Sequence, residues 1–104
     1  MQIIKNEEKN RVIVYVDGRI DTLTASDFEK QLIELINNNK DVIIECSKIE
    51  YISSAGLRSL LVLEKLAAVK KINIVLCRLP ELVREVLEIS GFDSFFEVRN
   101  DFDR

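Results

Sequence analysis

The 104-residue chain contains no histidine and no tryptophan, a single proline, three glycines and two cysteines. Without histidine it lacks the side chain that most often serves as general base or metal ligand near neutral pH. Gly18, Gly56 and Gly91 are too widely spaced for a Gly-x-Gly-x-x-Gly or Gly-x-x-x-x-Gly-Lys loop, which excludes nucleotide binding by those routes. Cys46 and Cys77 each close an expected apolar strand and lie far apart in sequence. They read as small core residues in a reducing compartment, not as a redox or metal pair. No apolar run approaches the ~20 residues that cross a bilayer. The amino terminus has no basic stretch followed by a long apolar one, so no signal peptide is expected. The net charge is −3 without a basic patch, so nucleic acid is not an expected partner. Acidic pairs such as Glu7/Glu8 read as solvated surface, and no cofactor, metal site or enzymatic activity is expected.

What is present is a chain with the means to build a core: 47% of its residues are hydrophobic and its charges are interspersed. A chain of this size buries roughly 60–70% of the surface its unfolded form exposes, without metal or disulfide staples. No composition shift, repeat or linker divides it, so one domain over residues 1–104 is expected.

Residues 11–16, β-branched and aromatic, predict a strand, with a shorter one near 2–5 turning back through Glu7-Glu8-Lys9-Asn10. Gly18 is expected to break that pattern. Thr24-Ala25-Ser26-Asp27 resembles a capping box and opens a helix whose stripe is Ala25, Phe28, Leu32, Leu35 and Ile36, ended by Asn37-Asn38-Asn39. Residues 41–46 and 72–77 are near-continuous apolar runs that suit inner strands. Pro80 suits the first turn of a third helix and Gly91 its end, with Leu82, Val83, Val86, Leu87 and Ile89 as its stripe. Residues 95–98 look like a short last strand. Strands alternating with helices imply an α/β layer: a mixed sheet of about four to five strands packed against three main helices.

The stretch that points to function is Ile49-Glu50-Tyr51-Ile52-Ser53-Ser54-Ala55-Gly56-Leu57-Arg58. The apolar strand is expected to run into a short polar loop, and the two serines open a long leucine-rich helix from about 54 to 69. Serine caps helix N-termini because its oxygen accepts one of the unpaired N–H groups of the first turn. A phosphate on Ser53 or Ser54 would lie at the positive end of the helix dipole, so the position suits a switch. Neither serine has an evident base beside it to make it a nucleophile. This helix is apolar around most of its circumference, which suits deep packing, with an outer edge near Val62 and Leu66 open to a partner.

Four segments in register resemble the STAS domains, in particular the small bacterial anti-sigma-factor antagonists. They are Gly18-Arg19-Ile20-Asp21, the strand at 42–46, Ile52-Ser53-Ser54-Ala55-Gly56-Leu57, and Ser90-Gly91-Phe92. The resemblance implies a STAS-like fold and a cytoplasmic, phospho-switchable binding module, monomeric or weakly dimeric. Unphosphorylated, it would bind a cognate anti-sigma factor, itself a serine kinase, and so release the sigma factor. Phosphorylation would inactivate it and a phosphoserine phosphatase would restore it. The matching phosphoacceptor is Ser54, with Ser53 as the alternative, because Ser53 stands where the family commonly has aspartate. Asp21 matches the family's acidic residue beside the acceptor; the alternative is a loop residue that only satisfies backbone N–H groups before the helix. Gly56 matches a glycine that lets a partner approach closely. The implied partner surface is Asp21, Ser53, Ser54, Ala55, Gly56, Leu57, Arg58 and Val62. The alternative function is a non-phosphorylated STAS subunit of a transport or lipid-trafficking ATPase complex, or of a signalling scaffold.

Overall fold

A computed structural model describes residues 1–101. The elements run β1 (Gln2–Glu7), β2 (Arg11–Ile20), α1 (Ala25–Asn37), β3 (Asp41–Ile52), α2 (Ser54–Lys70), β4 (Ile74–Cys77), α3 (Glu81–Ser90) and β5 (Glu97–Arg99), with a 3-10 turn at Asp93–Phe95. The sheet has five strands in sequence order, β1 antiparallel to β2 and the rest parallel. Each helix therefore joins two neighbouring strands, as βαβ crossovers require. Val12, Val14 and Val16 of β2, and Val42, Ile44 and Cys46 of β3, share one core with Phe28 and Leu32 of α1, Leu60 and Leu63 of α2, and Val83 and Leu87 of α3. The alternate residues Ile13, Ile43, Val75 and Cys77 form a small second cluster, as the period-two geometry of strands requires. Both cysteines are free and buried, and burial in apolar surroundings pushes their thiols upward in pKa. No helix among the described residues is long and apolar enough to cross a membrane.

Element order and type match the sequence-based expectation, while several boundaries do not. Gly18 does not end β2. It sits inside the strand at φ +111°, between two register shifts that let β2 follow β3 as far as the Ile20–Ile52 pair. The expected polar loop after Cys46 is likewise strand: β3 continues to Ile52, with Ile49 and Ile52 turned into the core. Thr24 occupies the N-cap position of α1 without capping it. Its Oγ1 instead accepts the Asp21 N–H at 2.9 Å and donates to the Arg19 carbonyl at 2.8 Å. Pro80 lies one position earlier than expected, at the N-cap of α3. Of the expected α3 stripe only Val83 and Leu87 are buried. Leu82 and Ile89 are exposed, because one helical face covers the sheet and the stripe drawn from sequence was wider than that face. Finally, Phe95 belongs to the 3-10 turn and the last strand starts at Glu97.

One polar atom on the half-buried side of α2 stands out. Glu64 Oε2 on α2 is buried and finds no hydrogen-bond partner among the described residues. Burial therefore holds its carboxyl above the usual value of 4.5. A raised folded-state pKa means that the fold binds a proton the unfolded chain has already released. Stability is then lost as pH rises from about 4.5 through the raised value. Glu64→Gln is expected to raise the melting temperature at pH 7, with the gain shrinking as pH falls below that window. Thermal unfolding of both proteins across pH checks it, and a constant difference would remove Glu64 as the cause.

Candidate functional site

The ends of β2 and β3 and the start of α2 converge on one point. The Ser53 N–H donates to the Ile20 carbonyl at 2.9 Å, which ties the residue before α2 to the last residue of β2. Ser53, in extended conformation, is the N-cap: its Oγ accepts the Gly56 N–H at 3.2 Å and its carbonyl accepts the Leu57 N–H at 2.9 Å. Ser54 is the first helical residue and is exposed. Its N–H and that of Ala55 precede the first intrahelical bond, so the Ser54 hydroxyl stands over the donor-rich, positive end of a 17-residue helix. The two serines thus have different surroundings: Ser53 Oγ is engaged in the cap, whereas Ser54 Oγ projects from the helix surface.

Asp21 opens the β2–α1 loop next to this point. One carboxylate oxygen accepts the Leu23 N–H at 3.0 Å and lies 3.3 Å from the Thr24 hydroxyl, whose single proton it shares with the Arg19 carbonyl, and the other lies 3.5 Å from Arg19 Nε. The Leu23 N–H is the main influence holding this carboxyl below the usual range. Slight desolvation opposes it, and Thr24 and Arg19 add to it. Asp21 therefore satisfies loop donors, as an Asx turn does, and stays ionised beside Ser53. Arg19 stacks its guanidinium on the Tyr51 ring, 4.4 Å from the centroid. Arg19 and Tyr51 are cross-strand partners in the extended stretches of β2 and β3, so the sequence, read with a loop there, gave no signal of their stacking.

The structure separates the expected surface residues into two groups. Ser54, Arg58 and Val62 are exposed along one line of α2, while Asp21, Ser53 and Ala55 are half-buried beside its start. Gly56 and Leu57 are buried and present no surface to a partner. The close approach at Gly56 is made by the chain itself. A Cβ there would lie 2.7 Å from Ile52 Cγ1 and 2.8 Å from the Ile20 carbonyl oxygen, which is backbone and cannot turn away. Gly56→Ala would gain helix propensity worth about 1 kcal/mol, yet overpacking against backbone costs about 1–3 kcal/mol. We expect a net loss of stability of up to about 2 kcal/mol and a displaced α2 start, read by denaturant unfolding. An unchanged midpoint would show that the strand ends yield.

A second polar cluster lies on the opposite face of the sheet. Glu45, buried within the apolar run of β3, accepts the Ser47 N–H at 2.9 Å, the Ser47 hydroxyl at 2.8 Å and Arg78 Nη1 at 3.2 Å. Arg78 holds φ +56° and also faces Asp101 at 3.6 Å. Glu45, Ser47 and Arg78 border a cleft of about 490 Å³. Both Glu45 oxygens are engaged within the chain, so the cluster reads as structural support. No group of His, Cys, Asp and Glu suited to a metal occurs among the described residues.

Comparison with known proteins bears on the family and the fold. The model of the STAS domain family matches residues 2–104. A Bordetella bronchiseptica protein named as an anti-sigma factor antagonist, BtrV, is 34% identical over 101 residues, covering 96% of this chain and 87% of that protein. The crystal structure of a Thermotoga maritima protein of the same description superposes with a TM-score of 0.89 at 19% identity, covering 97% of this chain and 88% of that one. The Bacillus cell fate determinant SpoIIAA in its phosphorylated form superposes with a TM-score of 0.72 at 13% identity, covering 93% and 90%.

Proposed function

This chain belongs to the STAS domain family, and we propose that it is an anti-sigma factor antagonist switched by phosphorylation of Ser54. Unphosphorylated, it binds a cognate anti-sigma factor and thereby frees the sigma factor. That anti-sigma factor is also the kinase that inactivates it, and a phosphoserine phosphatase reverses the modification. The chain acts as a binding protein in the cytoplasm and supplies no catalytic group of its own.

The observation that carries this function is the division of labour between the two serines. Ser53 Oγ caps α2 through Gly56, while the Ser54 hydroxyl is exposed on the same helix start. A kinase reaches Ser54 without undoing the cap, whereas phosphorylation of Ser53 would disturb a bond that holds the helix end. The relative in the comparison that was solved in a phosphorylated form supports a fold that tolerates the modification. Phosphate brings about −1.5 to −2 charges and three acceptor oxygens to the positive helix end.

The test is incubation of the purified chain with ATP and the candidate kinase encoded beside it, followed by mass spectrometry of wild type, Ser54→Ala and Ser53→Ala. Addition of one phosphoryl group to wild type and Ser53→Ala, and its absence from Ser54→Ala, is the expected result. Loss only in Ser53→Ala would keep the switch and move its residue. No phosphorylation of any form, with binding to a transport ATPase instead, would replace this function by that of a non-phosphorylated subunit.

A further inference from the structure

The cleft beside Glu45 and Arg78 is built at a cost. Glu45 is a carboxylate buried in an apolar strand and met by Arg78, and burying such a pair costs desolvation that its attraction need not repay. Arg78 holds a left-handed φ of +56°, a conformation that a residue with a side chain adopts only under constraint. β2 and β3 shift register between Tyr15 and Asp17, an irregularity of the kind that re-aims side chains beside binding sites. The same cleft keeps apolar surface in water: Ile4 is 55% exposed and Tyr15 37%. Its volume of about 490 Å³ lies within the roughly 300–1,000 Å³ common for small-molecule sites.

The charges of its lining select the ligand class. Asp17 and Lys48 are register partners on neighbouring strands, both exposed and both lining the cleft. They form no ion pair with each other, and neither side chain has a hydrogen-bond partner among the described residues. Glu45 and Arg78 neutralise one another, so the lining carries two acids, two bases and no net charge. A multiply charged anion finds no excess of cations here, and a purely apolar molecule would cover Asp17 and Lys48 without pairing them. An ammonium and a carboxylate on one carbon suit two opposite charges on strands about 4.8 Å apart. We propose that this cleft binds a free zwitterionic α-amino acid with a large apolar side chain. Its ammonium meets Asp17, its carboxylate meets Lys48, and its side chain lies against Ile4 and the Tyr15 ring. The site uses none of the residues around Ser54 and does not depend on the antagonist function.

The test follows the backbone amide shifts of the full, isotope-labelled chain by NMR. L-phenylalanine, L-leucine and L-methionine are each titrated to about 20 mM, against an expected Kd of about 1 mM or below for the best of them. Saturating shifts are expected at Tyr15, Asp17 and Lys48. For that best ligand, the analogue without the carboxylate and the analogue without the ammonium should each bind about tenfold more weakly or worse. Asp17→Asn and Lys48→Gln, both at exposed positions, should keep the wild-type melting temperature and lose affinity to the same degree. Absence of saturating shifts with all three amino acids would overturn the site, and so would shifts confined to α2 or the β2–α1 loop. Equal binding by the ammonium-free analogue would overturn it too, by making the cleft a site for simple anions. Wild-type affinity in both variants would do the same, because a ligand that ignores both charges is held by apolar contact alone.

Discussion

Phosphorylated on Ser54, the protein is expected to bind its anti-sigma factor a few hundredfold more weakly while remaining folded. The two halves of this result have separate causes. Ser54 is the first residue of α2 and exposed, with the Ser54 and Ala55 N–H groups outside the intrahelical ladder. Phosphate oxygens there meet donors and the positive dipole end, an interaction usually worth about 0.3–1 kcal/mol in favour of the fold. The melting temperature of the phosphorylated chain should therefore be no lower than that of the unmodified one. Binding is different, because an interface buries on the order of 800 Å² per partner and strips water from its centre. A dianion left unpaired there costs roughly 3–4 kcal/mol, a few hundredfold in affinity. Calorimetric titration of the kinase-phosphorylated protein, beside a melting curve of the same sample, reads both. Equal affinity of the two forms would remove the switch, and a melted phosphorylated form would make it a folding switch instead of a surface one.

Much of this arrangement was legible in the chain because it rests on local chemistry. The serines before a leucine-rich run marked the start of α2, and the structure begins that helix at Ser54. The stripe Ala25, Phe28, Leu32, Leu35 and Ile36 is the buried face of α1. The chemistry that escaped the sequence depends on partners far along it. Glu45 sits in an apolar strand because Arg78, 33 positions away, meets its carboxylate. Arg19 and Tyr51 stack because β2 and β3 both run past the points where polar residues and Gly18 suggested they end. Parallel pairing carried both strands onward: the ladder and the inward Ile49 and Ile52 outweigh the weak strand propensity of Ser47, Lys48 and Glu50. Those added residues bring Ile20 to Ser53, so the stretch that was hardest to read from sequence is the one that assembles the site.

Helix periodicity shows that a residue is apolar on an amphipathic face, but not how far the layer beneath extends. Phe28→Ala and Ile89→Ala separate these two quantities. Both positions lie on stripes drawn from sequence. Phe28 has no exposed surface and packs in the main core with residues of β2, β3 and α2, whereas Ile89 is 87% exposed at the end of α3. Removing the Phe28 ring forfeits its transfer free energy and leaves a cavity that the surrounding strands and α2 close only in part. The expected cost is about 3–5 kcal/mol. At roughly 4–8 °C per kcal/mol for a domain near this size, the melting temperature should fall by on the order of 15 °C or more. Ile89→Ala should stay within about 0.5 kcal/mol of wild type, since an exposed side chain already pays the hydration it would suffer on unfolding. Because Phe28 lies on α1, which holds α2 through the Ser59–Ala25 bond, its loss should also loosen the α2 start. Faster hydrogen exchange at the Gly56 and Leu57 amides in Phe28→Ala, and not in Ile89→Ala, would show that loosening. Equal effects of the two substitutions would mean that α3 covers more of the sheet than its exposed Ile89 implies.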